Sequence, residues 1–97
     1  MTNHSWTWCI EQAIPSETGA GKAFLDELLS QLEAAQWMQH DIFGIHLAME
    51  EALVNAIKHG NRQDASKQVH ICCKLSIERL WIRIADEGSG FNPESVA

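Results

Sequence analysis

Two short stretches of the chain hold residues whose types and spacing can do chemistry. The first is Glu50-Glu51-Ala52-Leu53-Val54-Asn55-Ala56-Ile57-Lys58-His59-Gly60-Asn61. Within it Glu51, Asn55 and His59 recur at every fourth position. On an α-helix residues so spaced stack along one ridge. A carboxylate there can act as a general base. An amide oxygen beside it suits magnesium, which takes few protein ligands and keeps its waters. The second stretch is Asp86-Glu87-Gly88-Ser89-Gly90-Phe91. Its two glycines free the main chain of side chains, so a flat or anionic ligand can come close. Asp86 stands ready to accept hydrogen bonds from such a ligand.

Other reactive-looking residues carry less. Gly19-Ala20-Gly21-Lys22 resembles part of a P-loop, but that motif needs a glycine where Ser16 stands and Ser or Thr where Ala23 stands. Lys22 therefore reads as a solvated helix residue. His4, His40, His46 and His70 are scattered without metal-ligand spacing. The four tryptophans have no interleaved basic residues and read as core and edge filling rather than a base-stacking platform. His59 can touch a phosphate or simply favour the helix C-terminus, where a cation is stabilised.

The elements that must position the two stretches follow from periodicity. Trp6, Trp8, Ile10 and Ile14 alternate as a first strand, closed by Pro15. Ser16 or Thr18 is expected to cap a helix over Ala20 to Trp37. Its buried stripe is Phe24, Leu25, Leu28, Leu29, Leu32 and Ala35. Asp41 is the expected cap of the central helix, whose apolar side is Ile45, Met49, Ala52, Leu53 and Ala56. Gly60-Asn61 should end that helix, with glycine in the left-handed conformation. Val69 to Ile77 alternates as a strand, Glu78-Arg79 turns, and Leu80 to Ala85 alternates back as an antiparallel hairpin. Strand, helix, helix, strand, strand predicts an α+β two-layer sandwich, a mixed or antiparallel sheet with helices on one face.

Composition narrows the classes. The chain has 97 residues, which predicts one domain over 1–97. A hydrophobic fraction of 45% suffices for one core. The net charge of −6 and spread acidic residues argue against a nucleic-acid surface. No apolar run approaches a membrane span, and no secretory leader is visible. Three cysteines, two of them adjacent, read as reduced thiols, which predicts a cytoplasmic protein.

The two stretches together resemble the GHKL ATP-binding superfamily of gyrase, histidine kinases and mismatch-repair ATPases. Glu51 to Asn55 looks like its E-x-x-x-N box, and Asp86-Glu87-Gly88-Ser89-Gly90 looks like its D-x-G-x-G box. Glu51-Ala52-Leu53-Val54-Asn55-Ala56-Ile57-Lys58-His59-Gly60 is most similar to the small bacterial anti-sigma factor serine kinases. The resemblance runs from about Trp8 to the end. It implies ATP and Mg2+ as ligands, with Glu51 as general base and Asn55 as magnesium ligand. Asp86 would read adenine through its exocyclic amine. Gly88 and Gly90 would shape the loop over base and sugar, and His59 would lie near phosphate. Glu50 would face elsewhere, since five residues separate it from Asn55 by roughly 140° of helix turn.

The resemblance implies a serine/threonine protein kinase whose substrate is an anti-sigma-factor antagonist and whose other partner is a sigma factor. A homodimer is a further expectation, because an exposed sheet edge is prone to pairing. The family's lid, second glycine-rich box and last strands would follow Phe91, and the chain ends at Ala97. A chain of this extent is expected to bind ADP and ATP weakly and to transfer no phosphate by itself. The competing readings are a non-catalytic interaction module of a partner-switching system and the ATPase module of a larger machine.

Overall fold

A computed structural model describes residues 6–88. Strand β1 (Trp8–Pro15) leads into helix α1 (Thr18–Ala34) and then helix α2 (Gln39–Val54). The second helix continues as a π-helical segment, Asn55–Gly60. Strands β2 (Gln68–Leu75) and β3 (Leu80–Ala85) complete the order. The three strands form one sheet in the order β1-β2-β3, antiparallel throughout. The fold is therefore α+β, with a wholly antiparallel sheet among the described residues.

Register explains the core. Ile10 lies opposite Cys73, which lies opposite Ile82, and Gln12, Ile71 and Ile84 form the next row. Val69, Ile71, Cys73 and Leu75 are fully buried because β2 is the central strand. Their edge-strand neighbours Ile10, Ile82 and Ile84 pack against them half-buried. The helices supply Phe24, Leu25, Leu28, Leu32, Ile42, Leu53, Ala56 and Ile57 to the same core. Burying a side chain such as Leu28 completely stabilises the fold by about 1.5–3 kcal/mol. The other sheet face carries Cys9, Lys74 and Trp81 in register. There the Lys74 ammonium lies 5.5 Å from the Trp81 ring centroid. Among the described residues no helix is long and apolar enough to cross a membrane.

Element ends differ from the periodicity. Trp6 lies outside β1 and is exposed. Helix α1 stops at Ala34, and Gln36 is left-handed at φ 63°. The Gln36 N–H donates to the Glu33 carbonyl and the Trp37 N–H to that of Leu32, a Schellman closure with glutamine in glycine's usual place. The turn frees Trp37 to donate its indole N–H to the Ser76 carbonyl at 3.0 Å, tying the interhelical link to the β2–β3 turn. In that turn Ser76 Oγ accepts the amides of Glu78 and Arg79, so Ile77 is left exposed outside β2.

The expected helix caps are also corrected. Glu17 and Met38 are the cap residues of α1 and α2, and neither makes a side-chain cap bond. Ser16 bonds elsewhere, and Asp41 sits inside the first turn of α2. There its charge still favours the helix dipole.

Cys72 and Cys73 point to opposite faces, as neighbours in a strand must. Cys73 is buried and Cys9 exposed, and all three thiols are free. Burial pushes the Cys73 thiol up to about 12. Iodoacetamide at neutral pH should therefore modify Cys9 while sparing Cys73, which should react only after unfolding. Mass mapping of the alkylated chain checks this; early labelling of Cys73 would contradict the placement of β2 at the centre of the sheet.

Candidate functional site

The loop meets the end of the helix that carries the ridge. Glu51 and Asn55 are both exposed on α2 and its continuation. The Asn55 N–H still donates to the carbonyls of Glu51 and Ala52, so the α turn linking the two residues is intact. Beyond Asn55 the helix widens into its π-helical segment. His59 is exposed in that wider turn, so it does not extend the Glu51–Asn55 ridge by one regular α turn. Glu50 lines a groove of about 340 Å³ between α1 and α2, with Lys22, Asp26 and His46 on its rim. Glu51 is not among the residues lining that groove. Lys22 is exposed, 3.5 Å from Asp26 one turn along α1.

Gly60 does not take the left-handed conformation expected of it. The left-handed residues are Arg62 and Gln63, at φ 55° and 57°. The Asn61 N–H closes the π turn on the Ala56 carbonyl at 2.9 Å, and that of Gln63 bonds the Ile57 carbonyl at 2.8 Å. Gly60 is needed for space instead. A Cβ there would overlap the Asp86 carboxylate and lie 2.8 Å from the Asp86 Cβ. A Cβ on Gly88 would in turn overlap the Gly60 carbonyl oxygen. Asp86 and Gly88 thus lie directly on the end of the helix. The Gly88 N–H donates to Asp86 Oδ1 at 2.9 Å, which holds the carboxylate's orientation. Gly90 lies outside the described residues.

Sequence reasoning missed a buried polar network behind the loop. Asn61, read only as part of a helix stop and polar linker, is 1% exposed. Its Nδ2 donates to Ser16 Oγ and to the Gln68 carbonyl, each at 2.8 Å. Its Oδ1 accepts the Glu87 N–H at 2.6 Å. Ser16 Oγ donates its own proton to the Lys67 carbonyl at 2.9 Å. The Glu87 carboxylate pairs with His70 Nε2 on β2. The hydrogen bond from His70, first, and the Gln68 backbone, further, hold the Glu87 carboxyl below its usual range against some desolvation. The only sequence signal for Asn61 was an amide beside a glycine at a helix end.

The donor set suits a nucleotide with its metal. Asn55 and Glu51 offer oxygens, the atoms magnesium prefers. Asp86, half-buried beside Gly60 and Gly88, offers an acceptor whose orientation the Gly88 N–H holds. The described residues contain no cluster of three or more His, Cys, Asp or Glu able to hold a metal alone. A magnesium ion here would depend on phosphate oxygens and its own waters for the rest of its shell.

The α+β fold is consistent with a GHKL-like ATPase domain. The family model of the histidine kinase-like ATPase domain matches residues 14–97, and the chain belongs to that family. No curated protein matches the chain. Family membership implies ATP as the ligand, usually with Mg2+.

Two outcomes follow from this geometry. Gly60→Ala should destabilise the fold by about 1–3 kcal/mol through overpacking and should also displace Asp86. Gly44→Ala, with open space around its Cβ in mid-helix, should instead stabilise by about 0.5–1 kcal/mol. Chemical denaturation of both variants checks the pair, and a neutral Gly60→Ala would contradict the close approach of Asp86.

The second concerns pH. Glu87 has a lowered folded pKa, so its contribution is present above the ordinary glutamate value of about 4.3. It is lost as pH falls through the lowered folded value. The stability gap between the wild type and Glu87→Gln should therefore shrink below pH ~4.3. A gap that widens on acidification would reverse the sign.

Proposed function

We propose that this chain is the ATP-binding domain of a serine/threonine protein kinase of the anti-sigma regulatory type. On this reading its substrate is an anti-sigma-factor antagonist and its second partner a sigma factor. The observation that supports the reading is the seating of Asp86 on Gly60, which brings the Asp86 loop to the end of the helix that carries Glu51 and Asn55. The run from Glu51 to Gly60, read as that subfamily's motif, supports the finer assignment.

Each residue then has a role. Asp86 accepts a hydrogen bond from the adenine amine, which guanine's keto oxygen cannot give. Gly88 and Gly90 leave room for base and sugar. Asn55 holds magnesium, which would neutralise phosphate charge. Glu51 takes the proton of the substrate hydroxyl as its oxygen bonds to the terminal phosphorus, while the bridging oxygen leaves with ADP. His59, one wide turn beyond Asn55, would lie near phosphate. Glu50 has no part, since it faces the α1 groove.

Calorimetry with magnesium-ATP and magnesium-GTP, joined to a phosphotransfer assay on the natural protein, tests these roles. Asp86→Asn should weaken ATP binding about tenfold or more, the cost of a charged hydrogen bond. Glu51→Gln should keep binding nearly intact and lower transfer by about 10²–10⁴-fold. Asn55→Ala should weaken binding itself, and Glu50→Gln should change little. Equal wild-type affinities for ATP and GTP would remove the role of Asp86. A dead Glu50→Gln beside an active Glu51→Gln would reverse the assignment of the base. A natural protein that shows no magnesium-dependent ATP binding would leave the non-catalytic interaction module as the better reading.

A further inference from the structure

We infer that Asn61 is the positioning residue of the purine-reading loop, fixing Asp86 through the neighbouring Glu87 main chain. The inference rests on the reading of Asp86 given above. Three consecutive loop residues are held by two consecutive residues at the helix end. Asp86 packs its carboxylate on Gly60, Glu87 donates its N–H to Asn61 Oδ1, and Gly88 packs on the Gly60 carbonyl.

The chemistry of the pocket requires an amide at position 61. Ser16 Oγ has given its proton to the Lys67 carbonyl, so towards Asn61 it can only accept. The Gln68 carbonyl can also only accept. The Glu87 N–H can only donate. The side chain must therefore donate twice and accept once from a site that is 1% exposed. An ionised carboxylate accepts but cannot donate, and a single hydroxyl cannot supply two donated protons. An amide does both, and the neighbours fix which way it points. Its two donated bonds anchor it to the β1–α1 junction and to the start of β2. Its accepted bond carries that anchorage to the loop. The loop thus takes its position from the rigid sheet as well as from its own glycines.

A purely structural role would lower stability and weaken every nucleotide equally. A positioning role lowers the preference for ATP over GTP, because only adenine uses Asp86. The experiment compares Asp86→Asn, Asn61→Ala, their double variant and Ser16→Ala, each shown to be folded by circular dichroism. Magnesium-ATP and magnesium-GTP affinities are the readout. Ser16→Ala removes one anchor of Asn61 without touching the loop bond, so it should lose stability and keep the preference. Asn61→Ala should lower the ATP:GTP preference at least about fivefold. The double variant should lose little more than Asp86→Asn alone, since the two act through one group.

An Asn61→Ala variant that keeps the wild-type ratio, while Asp86→Asn loses it, overturns the inference and leaves the purine reading standing. An Asp86→Asn variant with an unchanged ratio overturns both. If Asn61→Ala does not fold, amide exchange on the wild type decides. The Glu87 N–H should be protected at least about a hundredfold relative to a free peptide, and exchange at the free rate overturns the inference.

Discussion

The buried amide of Asn61 is the interaction on which the rest of the site depends. It lies where the exit of β1, the start of β2 and the chain leaving β3 converge, and it bonds all three. Each bond contributes only about 0.5–1.5 kcal/mol net, but a buried polar group left without its partner costs about 1–3 kcal/mol. That asymmetry makes the junction stringent. A sheet shifted in register or a helix ended one residue early would leave donors facing donors. The position of Asp86 is thus a consequence of closing the fold correctly as well as of local loop geometry.

The helix end shows the same priority of contact over local conformation. π-helical turns are rare, and those that occur are frequently at functional sites. Here the wider turn ends with Gly60 facing Asp86 and Asn61 turned into the interior. The left-handed residues that reverse the chain are Arg62 and Gln63, neither of which is glycine. Their backbone cost of about 1–3 kcal/mol each is offset by the hydrogen bonds of Asn61 and by the Gln63 bond to the Ile57 carbonyl. Glycine could have reversed the chain itself, but the carboxylate of Asp86 needs the space that only glycine leaves.

The sequence was most readable where one period holds over a whole element. Alternation in β2 and β3 placed Val69, Ile71, Cys73, Leu75 and Ile82 toward the core, and the helical stripe placed Phe24, Leu25, Leu28 and Leu32 there. The E-x-x-x-N and D-x-G-x-G spacings pointed to the family. Element ends were misread, because they are decided by contacts distant in sequence. Ser16 looked like a helix cap, but its hydroxyl serves Lys67 and Asn61, 51 and 45 residues away. Trp37 looked like the last helical residue, but its indole reaches the β2–β3 turn. Asn61 looked like linker because an asparagine after glycine is common in turns. Nothing local to position 61 announces the three partners that bury it.

The charge balance of the site has a consequence for how a nucleotide would be held. The chain carries a net charge of −6, and Glu50 and Glu51 stand on the same helix as Asn55. A triphosphate beside Glu51 would be repelled by it, and the basic residues of the π segment are Lys58 and His59 alone, both exposed. Exposed charges at such sites are weakened by salt. In the proposed site a divalent cation held through Asn55 would answer this repulsion where side chains do not. In the proposed site the purine end would need no such help, because Asp86 is oriented by Gly88 and seated on Gly60. In the proposed site, base recognition is thus built into the fold, whereas phosphate affinity must be assembled from the metal and the main chain.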